Sequence, residues 1–205
     1  WLNRGKQSLV ADIKNPDDLA LLRRIAAKAD VFIQNLAPGA AARAGLGSHA
    51  LRAANPRLIT VDISGYGDTG PYAAMKAYDL RVQAESGIAS ITGHPAGPGR
   101  IGVSACDIAC GMAAHAGVLE ALIERGVTAK GKSLKVSLFD GMADWMNVPL
   151  LYWEGTGHAR ERRGLAHPSI CQYGAFPTND GALVLISTQN EREWADFCAI
   201  FLLEP

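Results

Sequence analysis

In the stretch NPDDLALLRRIAAKAD, apolar residues return every three to four positions, placing Leu19, Leu22, Ile25, Ala26 and Ala29 on one face. That spacing predicts a helix, and its start is marked. Asn15 can cap it, Pro16 suits the first turn, and Asp17 and Asp18 suit the positive end. The pattern then changes to short unbroken apolar runs. VFIQN (31–35) and RLITVDISGYG predict buried strands, and PGAAARAGLGSHALRAANP between them predicts two short helices broken at Gly45–Gly47.

Further on, AYDLRVQAESGIASITG predicts a helix over about 77–91. The Gly/Pro-rich turn GHPAGPGR leads into SACDIACGMAAHAGVLEALIERG, a helix apolar or small nearly all round and closed at Gly126. SLKVSLF is expected as a strand, followed by one long helix through DGMADWMNVPLLYW. This alternation predicts an α/β fold: a Rossmann-like, mostly parallel sheet with flanking helices. From about Glu154 the texture becomes polar and Arg-rich (EGTGHARERRGLAHPS), which places a boundary near 154–167. Beyond it, two strands joined at Asn179–Asp180–Gly181 and a helix capped by Asn190 begin a smaller α+β unit.

Composition narrows the function only by exclusion. Twenty basic residues balance twenty acidic ones in 205, so bulk charge favours neither nucleic acid nor a membrane surface. Apolar runs are short and interrupted, and no membrane span is expected. Cys106, Cys110, Cys171 and Cys198 have apolar neighbours and no CxxC spacing, which fits reduced packing residues in a cytoplasmic protein. The start at Trp1 and the end in FCAIFLLEP suggest an internal segment of a longer protein.

Several chemistries lack their signatures. No HxxxH or HExxH pair joins the five histidines, so no metal is expected. There is no GxSxG elbow, and a generic dinucleotide-binding oxidoreductase is a weak reading although GYGDTG (65–70) after the second early strand fits GxGxxG by letter. GVTAKGKS (126–133) fits the phosphate-loop pattern by letter, but that loop needs a strand before it and a helix after it. Here the order is reversed, and the stretch reads as a helix end followed by a basic turn.

The candidate chemistry lies in isolated acids at helix starts. Asp107 heads a helix of small residues, where it can be an N-cap or a reactive carboxylate; taken alone, capping is favoured. Tyr78–Asp79, just after Lys76, opens the preceding helix in the same way. The two acids together suggest one pocket at strand ends, where ligands of α/β folds sit. Asp140 has the same two readings, nucleophile or cap.

Six segments in this order carry a resemblance: NRGKQSLVADIKNPD, ADVFIQNLAPGAAARAGLG, NPRLITVDISGYGDTGPY, AYDLRVQAESGIASITG, GVSACDIACGMAAHAGVLEALIERG and KVSLFDGMADWM. Together they resemble the class III CoA-transferase family, which includes formyl-CoA transferase, carnitine CoA-transferase and the α-methylacyl-CoA racemases. HPSICQYGAFPTNDGALVLISTQNEREWADFC is similar to the start of that family's smaller domain.

The resemblance implies a CoA-binding domain over 1–153, a linker over 154–167, the beginning of a small domain over 168–205, and an interlocked homodimer. It implies that Asp107 is the nucleophile, attacking an acyl-CoA thioester and passing through an aspartyl-CoA thioester. An acyl-CoA donor and a carboxylic acid acceptor are then the substrates. It places Tyr78 and Asp79 in the active site, Lys76 beside CoA, and Asn35, Leu36, Arg43, Ala11 and Ile13 against the nucleotide part of CoA. The family's racemases carry a His where this chain has Tyr78, so a transferase is preferred; a racemase and a non-catalytic CoA-binding protein are the alternatives. A short dicarboxylate is expected as acceptor. Further CoA contacts and a glycine-rich covering loop of the family have no counterpart here, so this segment alone is expected to be inactive.

Overall fold

The computed structural model describes residues 3–202, so the outermost limits of the expected domains, Trp1 and Pro205, lie outside the described residues. Two compact units are formed. One holds the residues up to Val82 together with Val103–Trp145; the other holds Gln83–Gly102 and the chain from Met146 onward.

The first unit is built on three parallel strands. Helix α1 (Pro16–Lys28) starts as its sequence requires, with Asn15 Oδ1 accepting from the amides of Asp17 at 2.9 Å and Asp18 at 3.5 Å. Then come β1 (Val31–Gln34), α2 (Ala40–Arg43), α3 (Ser48–Ala54) and β2 (Ile59–Ser64). Ala26, Leu46, Leu51 and Leu58 form a core under α1 and α3, with Leu19, Leu22 and Phe32 packed against it. Strand β2 is central: Val31 pairs with Ile59 on one side, and Thr60 with the first residue of β5 (Ser133–Ser137) on the other. This mixed α/β architecture, a parallel sheet flanked by helices, is the one expected.

Between β2 and β5 the expected single helix over 77–91 is two, α4 (Asp79–Glu85) and α5 (Ile88–Ile91). Gly87, at φ 87°, takes a left-handed conformation that ends the run. The Gly/Pro-rich turn forms a two-residue hairpin, β3 (Gly93–His94) with β4 (Gly97–Pro98).

Helix α6 spans Ala105–Thr128, two residues past the expected stop at Gly126, and its left-handed cap is Ala129 at φ 58°. It is not buried all round. Ala105, Cys106, Ala109, Cys110, Ala114 and Ala121 are covered, while Ile108, Met112, Leu119, Ile123 and Val127 form an exposed apolar stripe. Among the described residues α6 is also the one helix long and apolar enough, by length and composition, to cross a membrane. The helix-before, strand-after order around GVTAKGKS holds, and with it the rejection of a phosphate loop.

After β5, the expected long helix is divided at Met146 into α7 (Leu138–Trp145) and α8 (Asn147–Thr156). Pro149 supplies the reason: in a continuous helix it has no N–H to give to the Trp145 carbonyl, and its ring would clash there. In the second unit, α8 is followed by an irregular stretch in which Arg162 donates to the carbonyls of His94 at 3.2 Å and Ser90 at 3.0 Å. Strands β6 (Tyr173–Pro177) and β7 (Leu183–Ser187) pair antiparallel. Helix α9 (Glu191–Phe197) is capped by Asn190 Oδ1, which accepts from the Glu193 amide at 3.0 Å, and continues as a π-helical turn over Cys198–Leu202.

Candidate active site

A cavity of about 1160 Å³ opens in the first unit beside the carboxyl ends of β1 and β2, where ligands of parallel sheets bind. One wall is the loop after β1, including Asn35 and Leu36. Another is the loop after β2 with the segment Ala73–Asp79; Asp107 closes the lining from α6.

The acid pair comes together as expected, but with divided roles. Asp79 is buried, and its Oδ1 accepts the Cys106 amide at 2.9 Å. Asp79 therefore caps a helix, though not its own: it satisfies a first-turn amide of α6, whose N-cap Ser104 makes no side-chain cap bond. Asp107 is not an N-cap. It is the third helical residue, and among the described residues no hydrogen bond or ion pair engages its carboxylate. Partial desolvation, and then the charge of Asp79, push the Asp107 carboxyl above the usual carboxylate range. Asp140 is not a cap either; Ser137 Oγ accepts the Asp140 amide at 3.0 Å, and Asp140 is not part of the cavity wall.

Gly65 holds this end of the cavity together. A Cβ there would lie 2.2 Å from the Cβ of Ala77, so the loop carrying Lys76, Tyr78 and Asp79 approaches the end of β2 only because position 65 has no side chain. The Gly65 carbonyl accepts from the Phe139 amide at 3.0 Å, tying the same corner to α7. Tyr78 and Lys76 are exposed and line the cavity.

The nucleotide-side expectations divide. Asn35, Leu36 and Lys76 line the cavity; Arg43, Ala11 and Ile13 do not. The Arg43 guanidinium lies over Gly39 and donates to the Pro38 carbonyl at 3.4 Å, bracing the loop from behind. Ala11 lies in the irregular segment ahead of α1, and Ile13 in the turn that leads into that helix.

Sequence reasoning missed a polar network on the cavity floor. Asp62, on β2, accepts from Gln34 Nε2 at 2.8 Å and from Ser48 Oγ at 2.5 Å, while Gln34 Oε1 accepts the Leu36 amide at 2.8 Å. One carboxylate thus sets both the loop after β1 and the start of α3. Its signal was a single acid inside the apolar run ITVDIS. Lys135, which pairs with Asp62 in register, forms an ion pair with Asp68 across the cavity rim. That partner holds Asp68 below the usual carboxylate range and Lys135 above the usual lysine value. Among the described residues no group of three or more metal-ligating side chains occurs.

The model of CoA-transferase family III matches residues 1–204, and the chain belongs to that family. It is 39% identical over 199 residues to succinate–glutarate CoA-transferase of Agrobacterium fabrum, covering 97% of this chain and 50% of that protein. It is 40% identical over 187 residues to acetyl-CoA:oxalate CoA-transferase of Acetobacter aceti, covering 90% and 48%. Among solved structures, a CAIB/BAIF family protein from Brucella suis superposes with a TM-score of 0.86 at 36% identity, covering 97% of this chain and 52% of that one. The chain spans about half the length of the curated relatives it matches.

Proposed function

We propose that this chain is the CoA-binding, nucleophile-bearing part of an acyl-CoA:carboxylate CoA-transferase. The observation that carries the reading is Asp107: a carboxylate in the wall of a cavity of about 1160 Å³, unengaged by hydrogen bonds among the described residues, and partly desolvated. A carboxylate is a weak nucleophile in water, and removing its hydration activates it. The amide end of α6 favours the ionised form of Asp107, the form that makes the attack.

The steps balance without a net proton. An Asp107 oxygen attacks the thioester carbonyl, the C–S bond breaks, and CoA thiolate leaves a mixed anhydride. The thiolate attacks the aspartyl carbonyl, giving aspartyl-CoA thioester and the free donor acid. The acceptor carboxylate attacks that thioester, and the returning thiolate takes the acceptor's acyl group, restoring Asp107. Asp79 positions Asp107 by holding the first turn of α6; Tyr78 and Lys76 face the reactants from the adjoining loop.

The relatives' names include succinate, glutarate and oxalate, which supports a short dicarboxylate as acceptor. A homodimer is part of the proposal, and the apolar stripe on α6 is a face suited to coverage by a second copy.

The test incubates the full-length protein with succinyl-CoA and other acyl-CoAs, followed by peptide mass spectrometry with hydroxylamine trapping. A CoA or hydroxamate mass on the Asp107 peptide, absent from Asp107→Asn, is expected. An unmodified peptide with α-proton exchange in the absence of an acceptor acid would overturn the reading in favour of a racemase.

A further inference from the structure

Gln34 of β1 and Asp62 of β2 stand in register across the sheet, and both line the cavity. We propose that Asp62 is a positioning residue for the ligand of this cavity, resting on the reading that the cavity takes CoA. Through Gln34 it fixes the loop after β1, and through Ser48 the start of α3, so one carboxylate sets two walls.

The direction of each hydrogen bond is forced. A backbone N–H can only donate, so the Gln34 atom that meets the Leu36 amide at 2.8 Å is the side-chain oxygen. The Gln34 amide nitrogen is thereby turned to Asp62, 2.8 Å away, and needs an acceptor there. The other Asp62 oxygen accepts from Ser48 Oγ. Lys135, in register on the far side of β2, is taken up by Asp68, so two neutral donors hold Asp62. Both Asp62 oxygens are engaged, whereas the Asp107 carboxylate is not: Asp62 holds its neighbours and does not react.

Stability gives little reason for an acid at this place. Asp62 interrupts the apolar run ITVDIS, and half-burying a carboxylate costs desolvation that its hydrogen bonds do little more than offset. What the acid adds is order in the two segments it reaches. Asn35–Gly39 form one wall of the cavity, and that loop is tied at the Leu36 amide and again where Arg43 donates to the Pro38 carbonyl. Helix α3 presents Ser48, His49 and Arg52 to the same cavity. The residue before it, Gly47, has no side chain to cap the helix, and the Ser48–Asp62 bond ties this end to β2. Walls fixed before a ligand arrives lose less freedom on binding it, and the difference appears as affinity.

The forced direction allows the contact to be broken and then remade with its polarity reversed. In Gln34→Glu two carboxylates face each other where an amide met a carboxylate, and the contact is lost. In Gln34→Glu combined with Asp62→Asn, the new amide nitrogen donates to the new carboxylate, which still accepts the Leu36 amide. The new amide oxygen still accepts from Ser48 Oγ, and the total charge is that of the native protein.

The experiment measures calorimetric affinity for CoA and deuterium exchange of the peptide carrying Leu36, in the full-length protein and these variants, at a temperature where melting curves show each to be folded. Gln34→Glu is expected to weaken CoA binding about tenfold and to speed exchange at Leu36; the double variant is expected to recover both. Ser48→Ala, which cuts only the other arm, should weaken CoA several-fold with exchange at Leu36 unchanged. A contribution to folding stability alone would leave the CoA affinity of every folded variant native. Native affinity in Gln34→Glu, or a double variant that binds no better than Gln34→Glu, overturns the positioning role. Absence of CoA binding by the native protein is a different failure, that of the cavity reading, and takes the positioning role with it.

Discussion

The Asp79 carboxylate, on the first residue of α4, accepts the Cys106 amide of α6 at 2.9 Å, so the loop that shapes one wall of the cavity also caps the helix that carries Asp107. Cys106 Sγ reaches back to the Asp79 carbonyl at 3.5 Å, making the junction two-sided. Asp107 and Asp79 are thereby linked mechanically and electrostatically. Asp79 locates the turn bearing Asp107, and its charge adds to partial desolvation, the larger cause, in pushing the Asp107 carboxyl up.

These two effects separate in substitutions. Asp79→Ala leaves a buried amide without its acceptor and should cost about 1–2 kcal/mol in urea unfolding. Asp79→Asn keeps an acceptor oxygen and removes the charge. Its stability should stay close to native, while the acid limb of kcat/KM moves to lower pH as Asp107 ionises more readily. An unmoved limb in Asp79→Asn would mean that the charge of Asp79 does not reach Asp107.

Asp107→Asn should abolish transfer without harming the fold. A carboxyl group whose folded pKa lies above its unfolded value destabilises the folded state once it is ionised. The asparagine variant should therefore melt at or above the native temperature at neutral pH. The difference should close as pH falls below the ordinary aspartate value, about 3.9, where Asp107 is neutral in both folded and unfolded states. A variant that melts several degrees lower at neutral pH would show Asp107 to be structural.

Much of this site was legible in the residues, for identifiable reasons. Capped, amphipathic α1 and the short apolar strands β1 and β2 follow from local pattern, and so does the hairpin turn at Asn179–Gly181. The helix breaks at Gly87 and Met146 were missed because apolar spacing runs through both, while the decisive features are a positive φ and the position of Pro149. The pairing of Asp79 with Asp107 was suggested by their similar settings. Which of the two caps and which stands unengaged is decided by contacts across 27 residues of sequence, which no local pattern encodes. The Gln34–Asp62 contact likewise depends on the parallel pairing of β1 with β2, which sets those two residues in register.

Gly65→Ala tests how closely the loop must approach the sheet. The added methyl would meet Ala77 Cβ at 2.2 Å, and both are backbone-anchored, so the segment before Tyr78 has to move. Overpacking of this kind costs about 1–3 kcal/mol. Transfer activity should fall by more than the loss of stability implies, because Tyr78, Asp79 and the α6 turn move with Ala77. Measuring melting temperature and kcat/KM on the same preparation checks this; native kcat/KM would show that the corner yields without consequence.

The two buried thiols of α6 should report on the same carboxylates. Burial, and then the charge of Asp79, push Cys106 up to about 12; burial, and then the charge of Asp107, push Cys110 up to about 11. At pH 8 a thiol at about 12 is thiolate in roughly one molecule in ten thousand, and only the thiolate is alkylated. Iodoacetamide at pH 8 should therefore leave Cys106 and Cys110 unmodified in the folded protein and label both after unfolding. Asp107→Asn removes the second cause acting on Cys110 but none of its burial, so Cys110 labelling should rise slightly while that of Cys106 changes less. Rapid native-state labelling of either cysteine would mean that the first turns of α6 open readily, and that Asp107 is not held on the fixed surface that its proposed role as nucleophile requires.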